Sequence, residues 1–275
     1  MEKEKVRIFT YSPNPRIWKS LIAADILKIN IEVRSDSPKS LKDWLWDFNA
    51  KPLSENDKIS FSKSKISAQK GFKGNLIKTK KFLKLNPYGT VPVAFNMSGS
   101  IGVFESNSIL RLIARLEKKK NLYGKDAFNQ SRIDSYLDTC LVFAANTQNY
   151  TLSLYSKRKI PNYLKETAEN SFILFFNGIE ESLKNNNKKY LVSNNLTIAD
   201  ICFFCEFSQF LFYETKAMKY LGKEKESIFD RFKKKYKLSN QFFCKLLSHK
   251  SFRKIAYDEL SKSGVLKKIG FKNNI

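Results

Sequence analysis

The chain has 275 residues, of which 42% are hydrophobic, with 23 Phe and 12 Tyr, so its composition is globular and excludes a disordered chain. The sequence has no run of about 18 uncharged apolar residues that could span a membrane, and its start, MEKEKVRIF, is not a secretory signal. Its 4 Cys are too few and too irregularly spaced for a disulfide scaffold, so we expect a cytoplasmic protein with reduced thiols.

The first predicted elements are a strand, a helix and a second strand. Val6–Thr10 alternates like a short strand, Arg16–Leu27 has the periodicity of an amphipathic helix, and Ile29–Val33 is again a strand. The turn Tyr11–Pro15 places two prolines before the helix, where its N-terminal positions tolerate them. This order predicts a parallel pair of strands joined by a right-handed crossover.

The next segment, Arg34–Lys80, is long and has no clear periodicity. We predict one or two docking helical turns at Leu41–Phe48, and a mobile segment at Ser54–Lys80, which is rich in Ser and Lys. Trp44 and Trp46 are either anchors onto the body or an exposed patch for a partner, and we favour anchors.

A hairpin follows a turn that contains Asn-Pro and Gly, NPYG. A strand begins near Val91-Pro92, and a proline at this position fits if the peptide bond before it is cis. Ser98–Ser100 reads as the next turn and Ile101–Phe104 as the second strand.

After the hairpin, Glu105 and Ser106 open a helix with apolar periodicity. Free amides and the helix dipole favour an anionic guest at such a helix start. The sequence therefore predicts an anion-binding position here.

The second half of the chain is predicted to be helical throughout. Thr197 and Asp200 form a capping box in front of an apolar run. Cys202 and Cys205 lie within that run, so we interpret them as buried core thiols and not as a redox or zinc pair. His249, the only histidine, cannot build a metal site alone, so we predict no metal. The predicted helices are Gln130–Tyr150, Asn162–Leu183, Ile198–Tyr213 and Ser251–Leu260, after a polar linker at Lys118–Asp126.

The charge balance is extreme, with 50 basic and 26 acidic residues and a formal net charge of +24 at pH 7. Lysines are concentrated between Lys58 and Lys81 and between Arg231 and Lys237. A charge of this size attracts polyanions through counterion release, which makes tRNA, rRNA or a ribosome surface a candidate partner. The alternative is a general lysine bias over solvated faces, and the sequence leaves both interpretations open.

The stretch NPYGTVP, followed by a hairpin and then VFESNSI, resembles the glutathione-binding half of the glutathione-transferase family. The resemblance implies a thioredoxin-like α/β domain at residues 1–118, followed by an all-helical domain at residues 127–265. The Lys/Ser-rich insertion at about residues 35–80 departs from the family, and Thr79–Leu85 matches the remainder of the second helix.

The resemblance also implies glutathione as a substrate or ligand. The main chain of Val91, before Pro92, would pair with the cysteinyl part of glutathione, and Glu105 with Ser106 would hold its γ-glutamyl end. Transferase catalysis needs a hydroxyl after the first strand to favour the glutathione thiolate. Ser12, with Arg16 four residues later, matches the spacing of theta-like transferases, so we predict Ser12 as the catalytic hydroxyl.

Tyr11 is the second candidate for this hydroxyl. The alternative for Ser12 is that it only begins the turn before the helix, because the flanking prolines suit a turn equally well.

The phrases YSPNPRIWKSLIAADI, GVFESNSILRLIA and LVSNNLTIADI are similar to the transferase-like domain of elongation factor 1 gamma subunits. This resemblance implies a docking scaffold that associates with the nucleotide-exchange subunits of that complex, with weak or absent transfer activity, and a homodimer. A working theta-like glutathione transferase acting on hydrophobic electrophiles is the alternative. A transferase-like appendage of an aminoacyl-tRNA synthetase complex is a third interpretation.

Overall fold

In the computed structural model, the described residues are 6–61, 63, 65–67, 72, 74–156, 160–184, 188–221 and 226–271. The chain separates into two compact units, Met1–Glu117 and Lys118–Ile275. The first unit contains sheets and helices and the second contains helices, which confirms the predicted fold class.

The first unit is built on a four-stranded sheet with the order β2-β1-β7-β8. Its strands are β1 (Val6–Tyr11), β2 (Ile31–Asp36), β7 (Val93–Asn96) and β8 (Gly102–Phe104). β1 and β2 are parallel as predicted, whereas β7 runs antiparallel to both β1 and β8. The second strand was predicted too early, because Ile29 and Asn30 belong to the connection after the helix.

Two helices of this unit pack against each other: α1 (Pro15–Leu27) and α4 (Ser106–Leu116). α1 begins after Asn14, whose side chain accepts a hydrogen bond from the Arg16 amide and so caps the helix. α1 joins β1 to β2, and α4 directly follows β8, so the sheet fixes where each of these helices starts.

The insertion forms a second four-stranded sheet, with the order β4-β3-β6-β5. The insertion contains a 3-10 turn at Ser40–Asp43, β3 (Trp44–Trp46), β4 (Lys51–Pro52), α2 (Glu55–Ser60), β5 (Lys65–Ser67) and β6 (Asn75–Lys78), and it is followed by α3 (Lys80–Leu85). The predicted helical turns at Leu41–Phe48 are therefore wrong beyond Asp43, because Leu45 pairs with Ile77 in the parallel β3–β6 ladder.

The predicted mobile segment at Ser54–Lys80 is wrong at its C-terminal end, because Leu76 and Ile77 are buried in β6. Residues 62, 64, 68–71 and 73 of that segment lie outside the described residues. Trp44 and Trp46 are 9% and 1% exposed, so the interpretation of both as anchors is confirmed.

The two sheets of the first unit share one aromatic core. Phe9 of β1 packs on Trp46 of β3 with ring centroids 5.2 Å apart, and the same ring contacts Phe82 of α3. The core consists of Phe9, Leu41, Trp44, Trp46, Ala50, Leu76, Phe82, Val93 and Phe95. None of these residues belongs to α1 or α4. The insertion and α3 therefore cover a face of the first sheet together.

The second unit contains seven α-helices within the described residues: α5 (Ala127–Tyr155), α6 (Asn162–Lys184), α7 (Ile198–Leu221), α8 (Ile228–Phe232), α9 (Lys237–Ser248), α10 (Lys250–Ser263) and α11 (Val265–Ile269). α7 is buried on all sides along its phenylalanines, as predicted: Phe203, Phe204, Phe207, Phe210 and Phe212 are at most 4% exposed. The sequence prediction missed α8, α9 and α11. Among the described residues, no helix is both long and apolar enough to cross a membrane.

Candidate functional site

Strand register brings the predicted site residues of the first unit to one edge of its sheet. Phe9 of β1 lies opposite Val93 of β7, and Val93 lies opposite Phe104 of β8. Ser12 follows the end of β1, Val91 and Pro92 precede β7, and Glu105 follows β8. Because β7 is antiparallel to both neighbours, these three chain positions meet at the same edge.

Ser12 lies exposed at this edge, directly after β1. Its amide donates to the Asp36 carbonyl at 2.9 Å, and its hydroxyl donates to Ser35 Oγ of β2, also at 2.9 Å. The Ser12–Pro13 bond is cis. A serine hydroxyl has one proton to donate, so Ser12 has to leave Ser35 before it can donate to a ligand sulfur.

Tyr11, the second candidate hydroxyl, has a different environment. Its half-buried side chain packs against the aromatic core, and its ring meets Phe72 edge-on with centroids 6.2 Å apart. Successive residues of a strand point to opposite faces. Tyr11 therefore follows Phe9 toward the insertion.

The Val91–Pro92 bond is cis, as the sequence predicts, and Val91 is half-buried against the aromatic core. The loop before it is fixed at two carbonyls. Asn86 Nδ2 donates to the Thr90 carbonyl at 2.7 Å, and Lys78 Nζ donates to the Gly89 carbonyl at 2.8 Å. Lys78 is 8% exposed, and burial lowers its pKa. The insertion thus helps to hold the loop that presents Val91.

Glu105 and Ser106 mark the start of α4. Glu105 has φ 67° and ψ 128°, a backbone conformation that costs about 1–3 kcal/mol for a residue with a side chain. Its side chain is exposed and makes no capping hydrogen bond to the helix. Ser106 is the first helical residue, and its Oγ accepts a hydrogen bond from Lys19 Nζ at 3.1 Å. Both residues thus stand at the helix start, where the first amides have no partner within the helix.

Sequence reasoning missed Lys19, Lys78 and Ser35 as neighbours of this site. Lys19 had a detectable signal, because it is a lysine within the apolar stretch IWKSLIAA of α1 and is 0% exposed. A charged residue in that position is rarely buried without a specific partner. Lys78 and Ser35 had no such signal.

The described part of the chain has no cluster of three or more His, Cys, Asp or Glu side chains suited to a metal ion. Cys202 and Cys205 are 0% exposed, in agreement with buried core thiols, and His249 caps α10 through a hydrogen bond from the Ser251 amide.

Comparison with known proteins supports the fold of both units. Residues 147–241 match the family model for the glutathione S-transferase C-terminal domain. A glutathione transferase of Bombyx mori superposes with a TM-score of 0.62 at 15% identity, covering 99% of this chain and 100% of that one. The chain has the glutathione-transferase fold.

Other solved structures with this fold contain glutathione or oxidized glutathione. A glutathione S-transferase of Methylobacillus flagellatus with glutathione bound has a TM-score of 0.60 at 12% identity, covering 91% of this chain and 98% of that chain. A transferase of Phanerochaete chrysosporium with oxidized glutathione has a TM-score of 0.60 at 16% identity, covering 94% of this chain and 96% of that chain.

Among curated proteins, the similar sequences are plant elongation factor 1-gamma chains. "Elongation factor 1-gamma 3" of Oryza sativa subsp. japonica is 33% identical over 51% of this chain and 33% of its own length. "Probable elongation factor 1-gamma 1" of Arabidopsis thaliana is 26% identical over 72% of this chain and 39% of its own length. The chain thus spans about a third of the length of the curated relatives that it matches.

In the helical half of this transferase fold, the predicted capping box is built around a buried carboxylate. Asp200 Oδ2 accepts from the amide and hydroxyl of Thr197 at 2.8 and 2.9 Å, and Oδ1 accepts from the Leu191 amide at 2.9 Å. Burial raises the pKa of Asp200 to about 6 despite these hydrogen bonds. The box anchors the segment before α7, so its role is in folding.

Two further buried carboxylates hold the segment between α7 and α10. Glu214 accepts from the amides of Ile228 and Phe229 at the start of α8, at 2.9 and 3.2 Å. Glu180 accepts from the amides of Leu238 and Ser239 at the start of α9, at 3.0 and 2.9 Å. An acceptor at a helix N-terminus satisfies amides that have no partner within the helix.

Proposed function

We propose that this chain is a transferase-like scaffold module of the translation elongation factor 1 complex, in the place of its gamma subunit. The observation that carries the proposal is the similarity to plant elongation factor 1-gamma chains. The proposed partners are the nucleotide-exchange subunits of the complex, in the cytoplasm, and the proposed assembly includes a homodimer. Co-purification with exchange subunits and light scattering of the isolated chain test these two points.

The module would bind glutathione weakly at the edge of the first sheet. The main chain of Val91, beside Pro92, would hold the cysteinyl part, and Glu105 with Ser106 would hold the γ-glutamyl end. Weak turnover follows from the hydrogen bond between Ser12 and Ser35, because it competes with any bond from Ser12 to the glutathione sulfur.

An active theta-like glutathione transferase, acting on hydrophobic electrophiles, is the second candidate function. It is favoured by the exposed position of Ser12 at the same sheet edge as Val91 and Glu105. In this case Ser12 would stabilise the thiolate, and Tyr11 would be the less suitable donor because its ring packs on the aromatic core.

Calorimetry with glutathione and a conjugation assay on the same samples separate the two candidates. The variants are Ser12→Ala and Glu105→Ala, with Ser98→Ala in the distant hairpin turn as a control. Millimolar or absent binding without turnover is expected for a scaffold. Tight binding that is lost in Glu105→Ala, with turnover lost in Ser12→Ala, would instead establish a transferase.

A nucleic-acid phosphate backbone is the proposed polyanionic partner, and the basic turn is its proposed contact. The basic turn comprises residues 231–237, from the end of α8 to the first residue of α9. Arg231 pairs with Glu169 at 2.6 Å and Lys233 with Asp230 at 3.3 Å. Lys234, Lys235 and Lys237 are exposed and have no ion pair with a carboxylate in the described part of the chain. Their charges are therefore available to phosphates.

The salt dependence of RNA binding tests this contact. One variant changes Lys234, Lys235 and Lys237 to Gln, and the matched control changes Lys58, Lys184 and Lys262 to Gln. Each control lysine is paired with a carboxylate, at 2.6, 2.8 and 3.9 Å. Both variants lose the same charge, but only the first should flatten the salt slope, by about 2 for single-stranded RNA. Equal salt slopes in the two variants would show that binding depends on overall charge and not on the basic turn.

A further inference from the structure

Lys19 lies beneath the start of α4, next to the proposed γ-glutamyl subsite. Its side chain projects from α1 and is 0% exposed. The ammonium donates to Ser106 Oγ at 3.1 Å and to Asn107 Oδ1 at 2.7 Å. Burying an ammonium is unfavourable unless its protons find acceptors. These two contacts therefore fix the ammonium against the first turn of α4.

The contact with Lys19 determines what the Ser106 hydroxyl can offer to a ligand. A lysine ammonium can only donate hydrogen bonds, whereas a serine hydroxyl has one proton and two lone pairs. When Lys19 donates to Ser106 Oγ, it occupies a lone pair, and the Ser106 proton has to point elsewhere. Ser106 is half-buried at the helix start, so this proton can be offered at the sheet edge, where the first amides of α4 have no partner within the helix.

We propose that Lys19 is a positioning residue that holds Ser106 as a hydrogen-bond donor and thereby selects a carboxylate at this position. This inference rests on the proposed glutathione site, in which Glu105 and Ser106 would hold the γ-glutamyl end, and it adds the role of Lys19. Ser106 takes the α-carboxylate of the γ-glutamyl residue. The exposed carboxylate of Glu105 takes its ammonium.

Electrostatics favour the same assignment. The N-terminus of α4 carries a partial positive charge, and the Lys19 ammonium adds a full positive charge within hydrogen-bond distance of Ser106. Both attract an anion and repel a cation at the Ser106 hydroxyl. A ligand ammonium is thus directed to Glu105.

The test compares glutathione with an analogue that lacks the α-carboxylate, γ-aminobutyryl-cysteinylglycine, by calorimetry. The variants are Lys19→Met, which keeps the length of the side chain without its donors, Ser106→Ala, and the two combined. Lys19→Met should weaken glutathione about tenfold and change the affinity for the analogue by less than about twofold. The double variant should lose little more than either single variant, because both remove the same donor.

Lys19→Gln supplies the conservative replacement, since its side-chain amide can still donate to Ser106. It should recover part of the preference for glutathione over the analogue, an effect that a merely structural lysine would not produce. If Lys19→Met fails to fold, judged by circular dichroism, Lys19→Gln and Ser106→Ala carry the comparison.

Equal weakening of both ligands in Lys19→Met would overturn the role of Lys19 and leave the glutathione site standing. Unchanged glutathione affinity in the folded Lys19→Met protein would overturn it as well. If the unmodified protein binds neither ligand, the glutathione site and the role of Lys19 both fall.

Discussion

Asp200 should make the stability of the helical unit depend on pH between about 4 and 7. Burial raises its pKa from 3.8 to about 6, so the folded protein binds this proton more tightly than the unfolded chain does. The stability contributed by the proton is complete below pH 3.8 and is lost as the pH rises through about 6. Lowering the pH from 7 to 5 should therefore stabilise the fold through Asp200.

The size of this effect follows from the two pKa values. Each pH unit between them is worth about 1.4 kcal/mol when the proton is bound in the folded state alone. Over the interval from pH 7 to pH 5, only the part below the folded pKa contributes, which gives about 1 kcal/mol. Asp200 is 0% exposed, so solvent screening does not reduce this value.

The assay is urea unfolding followed by circular dichroism at 222 nm, at pH 7 and pH 5, for the unmodified protein and Asp200→Asn. Asp200→Asn lowers stability at both pH values, because one amide oxygen replaces two carboxylate oxygens that together accept three hydrogen bonds. The informative quantity is the difference between the two proteins, which should grow by about 1 kcal/mol at pH 5. Overall charge repulsion cancels in this difference.

Asp230 provides a matched control with the opposite sign. Its amide donates to the Ser227 hydroxyl that caps α8, and its carboxylate is only partly buried. Burial raises its pKa, but the Lys268 ammonium at 2.7 Å outweighs this and lowers the pKa. The stability due to Asp230 should stay constant from pH 7 to pH 5 and decline below its usual pKa of 3.8. If the difference for Asp200→Asn stays constant or shrinks at pH 5, the reasoning about burial at Asp200 is refuted.

Three further substitutions test separate contacts. Gly102→Ala should destabilise the first unit by about 2 kcal/mol in thermal unfolding, since the new Cβ would overlap a backbone carbonyl oxygen of α3; no loss would mean that β8 can move away. Glu180→Ala should lower the free energy of unfolding in urea by about 3 kcal/mol, because it leaves buried amides at the start of α9 without an acceptor. Glu181→Ala removes only an exposed ion pair and should lower it by under about 0.5 kcal/mol. Equal losses in the two variants would contradict the capping role of Glu180. Ser35→Ala releases the Ser12 hydroxyl, so it should lower the thiol pKa of bound glutathione, measured by thiolate absorbance; an unchanged pKa would show that Ser12 does not reach the sulfur.

The parts of the fold that were predictable have local signals. The NPYG turn, the cis bond before Pro92 and the helix start at Ser106 are each specified by residues close together in sequence. The same holds for the Thr197–Asp200 capping box, whose partners are three residues apart. The meeting of Ser12, Val91 and Glu105 at one sheet edge, by contrast, follows from strand register. The family resemblance supplied that register, and the local sequence pattern did not.

The insertion was mispredicted because its structure depends on distant partners. WLW reads as a short apolar run that is equally compatible with a helical turn or a strand. It becomes β3 because Leu45 finds Ile77 across the β3–β6 ladder, a pairing that joins two ends of the insertion. Strand preference of this kind reflects packing against neighbours more than intrinsic propensity.

The neighbours of the candidate site were missed for a similar reason. Lys19 meets Ser106 across 87 residues, and Ser12 meets Ser35 across 23. No spacing rule links such pairs, so a single sequence cannot reveal them. Only the position of Lys19 within the apolar stretch of α1 could have suggested that this lysine has a buried partner.

Because it shares the aromatic core, the insertion is an integral part of the first unit. Trp44, Trp46 and Leu76 close the same core as Phe9 and Phe95, so excision of residues 40–78 would expose rings to water. An engineered chain without this segment would therefore need polar replacements for the apolar residues on that face. Since Val91 also rests on this core, changes within the insertion can alter the ligand-facing edge without touching a residue of the site.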